Sequence, residues 1–226
     1  MRYILLQRPM LQRFNGIARW LRLSAGLKLA VDSAVRSGAI KREFVRMIEE
    51  DYASMRPSLP SEAMRILDVG CGVAGIDVLL FRHYRQAPDL EFFLLDQTNS
   101  RSDLRYGFSS GAEFYNSLQI SKRMLGVNGV NTANVRLIEA RESREIPVGN
   151  LDLVISIASW GFHYPVSDYL EQVYEALKPG GKLILDVRTG QGQEKALRGR
   201  FETLDLIAET WNGKAGRFCA AKGPVD

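Results

Sequence analysis

Asp68-Val-Gly-Cys-Gly-Val-Ala-Gly75 follows the apolar pair Ile66-Leu67 and carries glycines at 70, 72 and 75. An apolar strand running into a glycine turn and then a helix lets the backbone bend sharply and come close to a ligand. The G-x-G-x-x-G spacing alone is weak evidence for any one ligand, so its surroundings must decide. Downstream, short apolar runs alternate with helical patterns, the mark of βαβ units and a mostly parallel sheet. Residues 66–69 read as the first strand, 75–84 as its helix and 90–95 as the second strand. A helix over 114–125 precedes a third strand over 135–138. Residues 151–157 form the fourth strand, 166–177 a helix and 182–187 the fifth strand, with 204–209 and 217–221 as a closing pair. The stretch 97–111, rich in Ser, Gly and Arg, is long for a simple connection and reads as a lid, a binding loop or a variable surface loop.

The chain has 226 residues, 46% hydrophobic and 25% charged, which suits one globular unit with an appendage. No apolar run approaches the roughly 18 residues of a spanning helix. Ile4-Leu5-Leu6 is stopped by Gln7, Arg8 and Pro9, too early for a signal-peptide core, and a cytoplasmic location is expected. Cys71 and Cys219 offer neither a disulfide framework nor metal spacing and read as reduced, small apolar residues. Charge is uneven: residues 1–46 hold ten Arg or Lys against Asp32 and Glu43, a net +8, while the whole chain is +4. Leu11, Phe14, Ile17, Ala18 and Leu21 recur at helical spacing with arginines between them. Three readings of this basic segment stay open: a cap over the main domain, a helix in peripheral contact with a membrane surface, and a phosphate-binding arm for nucleic acid, the last disfavoured. A second helix over about 41–54 leads to Pro57 and Pro60, which mark the division into an N-terminal basic helical cap, 1–60, and a main domain, 61–226.

Asp68 separates the candidate ligands of the glycine turn. A dinucleotide would set a doubly anionic pyrophosphate on the helix N-terminus, where a carboxylate two residues before Gly70 repels it. S-adenosylmethionine has no phosphate and brings an ammonium and a sulfonium, so the same acid attracts. Phe92-Phe-Leu-Leu-Asp96 is an apolar strand ending in an acid, placed to accept hydrogen bonds from a ribose diol. Asp96 therefore points to a nucleoside without choosing between the two.

These residues resemble a class I S-adenosylmethionine-dependent methyltransferase. The likeness rests on ILDVGCGVAGID (Ile66–Asp77), FFLLD ending at Asp96, LDLVISIASWGFHYP (Leu151–Pro165) and LKPGGKLILDV (Leu177–Val187), and spans about residues 62–222. It implies a Rossmann-like α/β fold with a seven-stranded, mostly parallel sheet whose last strand is antiparallel, here with an N-terminal helical extension. It also implies cofactor contacts from Gly70, Cys71, Gly72 and Asp96, and the cofactor-binding set is completed by Asp68, Gln97 and Ser156. Two positions depart from the family. Where Gly-Asp often follows the third strand this chain has Ala140-Arg141, leaving Glu142 or a backbone carbonyl for the adenine. The third glycine is Gly75, with Ala74 in the usual place, which alters the loop's shape more than its ligand. Lys178-Pro-Gly-Gly181 reads as a helix stop and turn.

Ser159-Trp-Gly-Phe-His-Tyr-Pro165 follows the fourth strand at the ligand edge of the sheet. His163 is the candidate general base for an acceptor hydroxyl, against a purely structural histidine; His83 reads as surface. Trp160, Phe162 and Tyr164 read as an apolar wall for a substrate ring or as core. Trp160, Tyr164, Tyr106 and Arg188 form the candidate substrate set, Arg188 for a phosphate or carboxylate on the acceptor. No Asn/Asp-Pro-Pro-Tyr/Phe occurs, which disfavours methylation of nucleic-acid bases, and no metal is expected. SWGFHYP, Tyr106-Gly-Phe and Phe114-Tyr-Asn-Ser-Leu are similar to bacterial sugar O-methyltransferases. The resemblance thus implies O-methylation of a small molecule or sugar. An RNA or protein methyltransferase using the basic segment is the alternative; a nicotinamide oxidoreductase is disfavoured by Asp68, and a silent binding module of the same fold is the last.

Overall fold

The computed structural model describes residues 4–5, 11, 25–87, 89–98, 117–141 and 143–224. Among the described residues there are eight strands: β1 (Arg65–Val69), β2 (Glu91–Asp96), β3 (Val135–Glu139), β4 (Leu151–Ser156), β5 (Ser159–Tyr164), β6 (Leu177–Arg188), β7 (Thr203–Thr210) and β8 (Ala215–Ala221). The helices are α1 (Ala25–Val35), α2 (Ser37–Met55), α3 (Gly75–His83), α4 (Leu118–Val127), α5 (Leu170–Ala176) and α6 (Glu194–Arg198). All strands but β5 join one seven-stranded sheet in the order β3-β2-β1-β4-β6-β8-β7. β1, β2, β3, β4 and β6 pair in parallel, and β8 runs antiparallel to both β6 and β7. The Rossmann-like sheet with an antiparallel last strand is therefore present.

Side chains alternate across a strand, and the two faces read cleanly. Ile66, Phe92, Leu94, Leu153, Ile155 and Ile184 join one core with Ile40, Phe44 and Ile48 of α2, Ile76 and Leu80 of α3 and Leu125 of α4. Leu67, Phe93, Leu95, Val154, Leu183 and Leu185 form the second with Leu170 and Val173 of α5 and Leu197 of α6. α2 thus lies in the same helix layer as α3 and α4, and Pro57–Pro60 is the turn that carries the chain from it to β1. Among the described residues no helix is long and apolar enough to cross a membrane.

Several element boundaries differ from the sequence expectation. The helix expected over 166–177 is a 3-10 turn, Val166–Asp168, followed by α5; Tyr169, at φ −130°, separates them. Helix α5 does stop before Lys178, but the next strand begins at Leu177 and carries the Pro-Gly-Gly run, with an irregular register against β4. Lys178 pairs with the buried Asp152, which also accepts from the backbone N–H of Met64 and Arg65 at 2.8 Å each. That run is architecture. The expected loop after β4 is instead strand β5, packed so closely on β6 that a Cβ at Gly161 would fall 2.7 Å from the Asp186 carbonyl oxygen. His83 is half-buried rather than a surface residue, with Nδ1 2.8 Å from the Tyr52 hydroxyl of α2. Residues 12–24 of the basic segment, most of the 97–111 loop, Tyr106, Glu142 and the first residues of the helix expected over 114–125 lie outside the described residues.

Candidate active site

The turn after β1 is built from two close approaches and one left-handed residue. Gly70 has φ +80°, and a Cβ there would sit 1.9 Å from the Ser159 hydroxyl oxygen, so glycine lets β5 cross the end of β1. A Cβ at Gly75 would sit 2.8 Å from the Phe44 ring, so this glycine lets α3 pack on α2. Ala74, between them, holds the left-handed conformation (φ 58°, ψ 36°) usually left to glycine, and this is the altered loop shape its position implied. The backbone N–H groups of Gly70 and Cys71 donate to Leu95 O at 2.7 and 3.2 Å, and Ser121 Oγ donates to Gly72 O at 2.5 Å.

Asp96 ends β2 beside this turn. Its Oδ2 accepts from Gly72 N at 2.8 Å and its Oδ1 from Gln97 N at 2.7 Å. A carboxylate oxygen can accept more than one hydrogen bond, so such a carboxylate suits a ligand hydroxyl. A cleft of about 350 Å³ opens here. Val69, Gly70, Leu95, Asp96 and Gln97 form one wall; Ala140, Arg141 and Arg144 after β3 form another; Ser159, Trp160 and Tyr164 of β5, with Asp168 and Tyr169, close it. Arg144 NH1 lies 2.7 Å from Asp168 Oδ1 across that closing wall.

The sequence-predicted residues divide into three groups. Gly70, Asp96, Gln97, Trp160 and Tyr164 come together on the cleft. Asp68, Cys71 and Ser156 lie beneath it, buried, and do not line it. Ser156 Oγ donates to Val69 O at 2.8 Å and accepts from Trp160 N at 3.0 Å, tying β5 to β1. Burial pushes the Cys71 thiol well up, with Asp96, Asp68 and Asp77 adding to it, so it is a packing residue rather than a nucleophile. His163 and Arg188 are not among the cleft's lining residues. The exposed His163 ring meets Phe162 edge-on at 4.8 Å, and the Arg188 guanidinium lies 4.9 Å over the same Phe162 ring. Trp160 is both wall and core: it is 1% exposed, and its indole N–H donates to Val166 O at 2.9 Å.

Asp68 shares the β1 face of Ile66 and so points into the helix layer, where it meets Asp77 in the first turn of α3. With both ionised, neither oxygen of Asp77 has a donor. One proton between them resolves this, Asp68 donating to Asp77. Burial raises both acids, Asp68 well above the carboxylate range and Asp77 to about 7. Two acids under one helix N-terminus make that end a poor seat for a pyrophosphate. Burial, then Asp96, pushes the Tyr164 phenol to about 12, so it stays protonated and serves as a donor.

Asp77, Arg144, Asp168 and Tyr169 were not singled out by sequence. Nor was Trp211, whose ring packs 5.3 Å from Phe162 and whose indole N–H donates to Asp186 Oδ2 at 3.2 Å. The Trp211-Asn-Gly run between the two closing strands is the signal for the last of these, since Asn-Gly marks a hairpin tip at the sheet's ligand edge.

Sheet order, glycine turn, β2 acid and cleft can now be set against known proteins. No family model matches the chain, and comparison with curated proteins finds no relative. Among solved structures, a candidate O-methyltransferase from Nostoc punctiforme is similar over 83% of this chain and 59% of its own, with a TM-score of 0.57 and 14% identity. An S-adenosylmethionine-dependent O-methyltransferase from Thermotoga maritima is similar over 79% of this chain and 66% of its own, with a TM-score of 0.52 and 16% identity. The chain has the class I methyltransferase fold. A precorrin-6y C5,15-methyltransferase from Geobacter metallireducens shares that fold over 79% of this chain and 88% of its own, at a TM-score of 0.51 and 16% identity. This chain thus spans about three-fifths to two-thirds of the first two proteins' lengths. At these identities the likeness is one of methyltransferase fold, and the chemistry must be argued from the cleft.

Proposed function

We propose that this chain is an S-adenosylmethionine-dependent methyltransferase that methylates a hydroxyl group of a small molecule, with sugars as the acceptor class. The observation that carries the reading is the buried Asp68–Asp77 pair at the start of α3, beside Asp96 at the end of β2. This is a negatively charged seat for a nucleoside that is itself cationic. Asp96 accepts from the ribose hydroxyls, while its bonds to Gly72 and Gln97 hold its carboxylate still. The Asp68–Asp77 pair lies buried beneath that seat, so a positive charge on the cofactor would favour its ionised form. The bound cofactor supplies a methyl group already activated by its sulfonium, which leaves positioning and proton removal to the protein. Trp160 and Tyr164 wall the cleft with aromatic surface suited to the C–H faces of a sugar ring, and the Tyr164 phenol donates. His163, next to Tyr164 in β5, takes the acceptor's proton, and Arg188 favours an acceptor bearing phosphate or carboxylate.

The test has two stages. S-adenosylhomocysteine should raise the melting temperature, and NADH and NADPH should not. Labelled methyl from S-adenosylmethionine should then transfer to members of a panel of sugars and sugar phosphates. Selective stabilisation by NADH overturns the cofactor assignment; transfer to RNA or protein but to no sugar overturns the acceptor assignment.

A further inference from the structure

Given the S-adenosylmethionine reading, on which this rests, we propose that Arg141 reads the cofactor's nucleobase by its acceptor atoms, so that the site takes a 6-oxo purine at least as readily as adenine. Four charged residues line the cleft: Asp96, Arg141, Arg144 and Asp168. Three of them have partners in the protein. Asp96 accepts from the backbone N–H of Gly72 and Gln97, and Arg144 pairs with Asp168 at 2.7 Å. Among the described residues no carboxylate pairs with the exposed Arg141. Its carbonyl oxygen accepts from Arg144 N at 3.0 Å, closing a turn that the Arg144–Asp168 pair pins from the other end. A cation held on a cleft without a protein partner is placed to meet a ligand's acceptors.

Sheet order selects which part of the ligand that is. Asp96 stands in register with Glu139, and Ala140 N donates to Asp96 O at 2.9 Å, so Arg141 follows directly beyond the carboxylate that takes the ribose. β2 lies between β1 and β3. The glycine turn after β1 covers the Asp68–Asp77 pair, the seat for the cationic end of the cofactor, which gives the β3 side of Asp96 to the base. A purine is joined to its ribose through N9 and carries its 6-position on the far ring, so the 6-edge is the part that reaches this wall. A guanidinium only donates. Against adenine it can pair with a ring nitrogen but not with the 6-amino group, itself a donor; against a 6-oxo purine it can pair with O6 and N7 together. An aspartate at this position, as the family resemblance implies, would have the opposite preference.

The test is calorimetric titration of the full chain with S-adenosylhomocysteine and with S-inosylhomocysteine, its 6-oxo counterpart. Wild type should bind the inosyl compound at least as tightly as the adenosyl one. Arg141→Ala should weaken both, the inosyl compound by about tenfold, and Arg141→Asp should move the preference toward the adenosyl compound by about tenfold or more. Because Arg141 is exposed, unchanged thermal unfolding of the variants confirms that folding is intact. A wild-type preference of about tenfold or more for the adenosyl compound overturns the proposal, as does a preference that neither variant shifts by more than about threefold; in both cases the binding of S-adenosylhomocysteine still supports the cofactor reading. Binding of neither compound to wild type overturns that reading and this proposal with it. Variants that keep both affinities but lose methyl transfer to sugar phosphates would assign Arg141 to the acceptor instead.

Discussion

Asp68 on β1 and Asp77 on α3 meet in the helix layer beneath the glycine turn, both buried, and burial raises the pKa of each. Their pairing ties stability to pH with a definite sign. Asp77's folded pKa, about 7, lies above its unfolded value. Below about pH 4 both states are protonated and the native state bears no penalty. As pH rises from about 4 to about 7 the unfolded chain has lost protons that the folded chain keeps on both Asp77 and Asp68, so stability falls; above about 7 the folded Asp77 has lost its proton and the fall continues through Asp68 alone. Asp77→Asn should flatten this slope, stabilise the protein at pH 8 by on the order of a few kcal/mol, and weaken S-adenosylhomocysteine binding. Urea unfolding midpoints of both proteins at pH 5 and pH 8 check the first two, and calorimetric titration checks the third.

Asp96→Ala should cost about 1.5–3 kcal/mol of S-adenosylhomocysteine affinity for each charge-assisted hydrogen bond lost. The turn should loosen as well, because Gly72 and Gln97 lose their acceptor. Calorimetric binding with hydrogen exchange at residues 70–73 measures both effects.

Gly70→Ala should destabilise by about 2–5 kcal/mol, because the new Cβ meets Ser159 and an L-residue must hold a positive φ. Adding Ser159→Gly removes the overlap but not the backbone strain. The double variant should recover to within about 1–2 kcal/mol of wild type. Denaturant unfolding of the single and double variants separates the two terms.

Arg217 is fully buried, with Nε 2.7 Å and NH2 3.0 Å from the Asp186 carboxylate and NH2 2.8 Å from Asp51 of α2. Arg217→Ala should cost about 3–5 kcal/mol, mostly from the uncompensated charge of Asp186. Arg217→Met with Asp186→Leu should recover most of that loss, although Trp211 loses its acceptor. Thermal unfolding of the single and paired variants provides the comparison.

His163→Ala should slow single-turnover methyl transfer by about 10² to 10⁴ with little change in cofactor affinity, as removal of a general base does. Near-normal turnover by the variant would leave His163 structural, with acceptor positioning by Tyr164 carrying the reaction.

The sequence by itself determined the parallel sheet, the glycine turn and the acid at the end of β2. Each is a local signal: alternating apolar runs, a turn that tolerates no side chain at Gly70, and a carboxylate ending an apolar strand. It also marked Trp160 and Tyr164, because residues just past a parallel strand's carboxyl end fall at the ligand edge. Only the tertiary structure decided which way those residues point. Asp68 reads in sequence as a ligand contact at a strand end, yet strand alternation turns it toward α3, and its partner Asp77 is visible only once that helix is packed. Ser156 is likewise spent on joining β5 to β1, and His163 is not in the wall. The far side of the cleft, Arg144 with Asp168 and Tyr169, is assembled from segments separated by β4 and β5. No local pattern encodes such a pair, because its charges meet only through the stacking of strands that puts the end of β3 opposite the turn before α5.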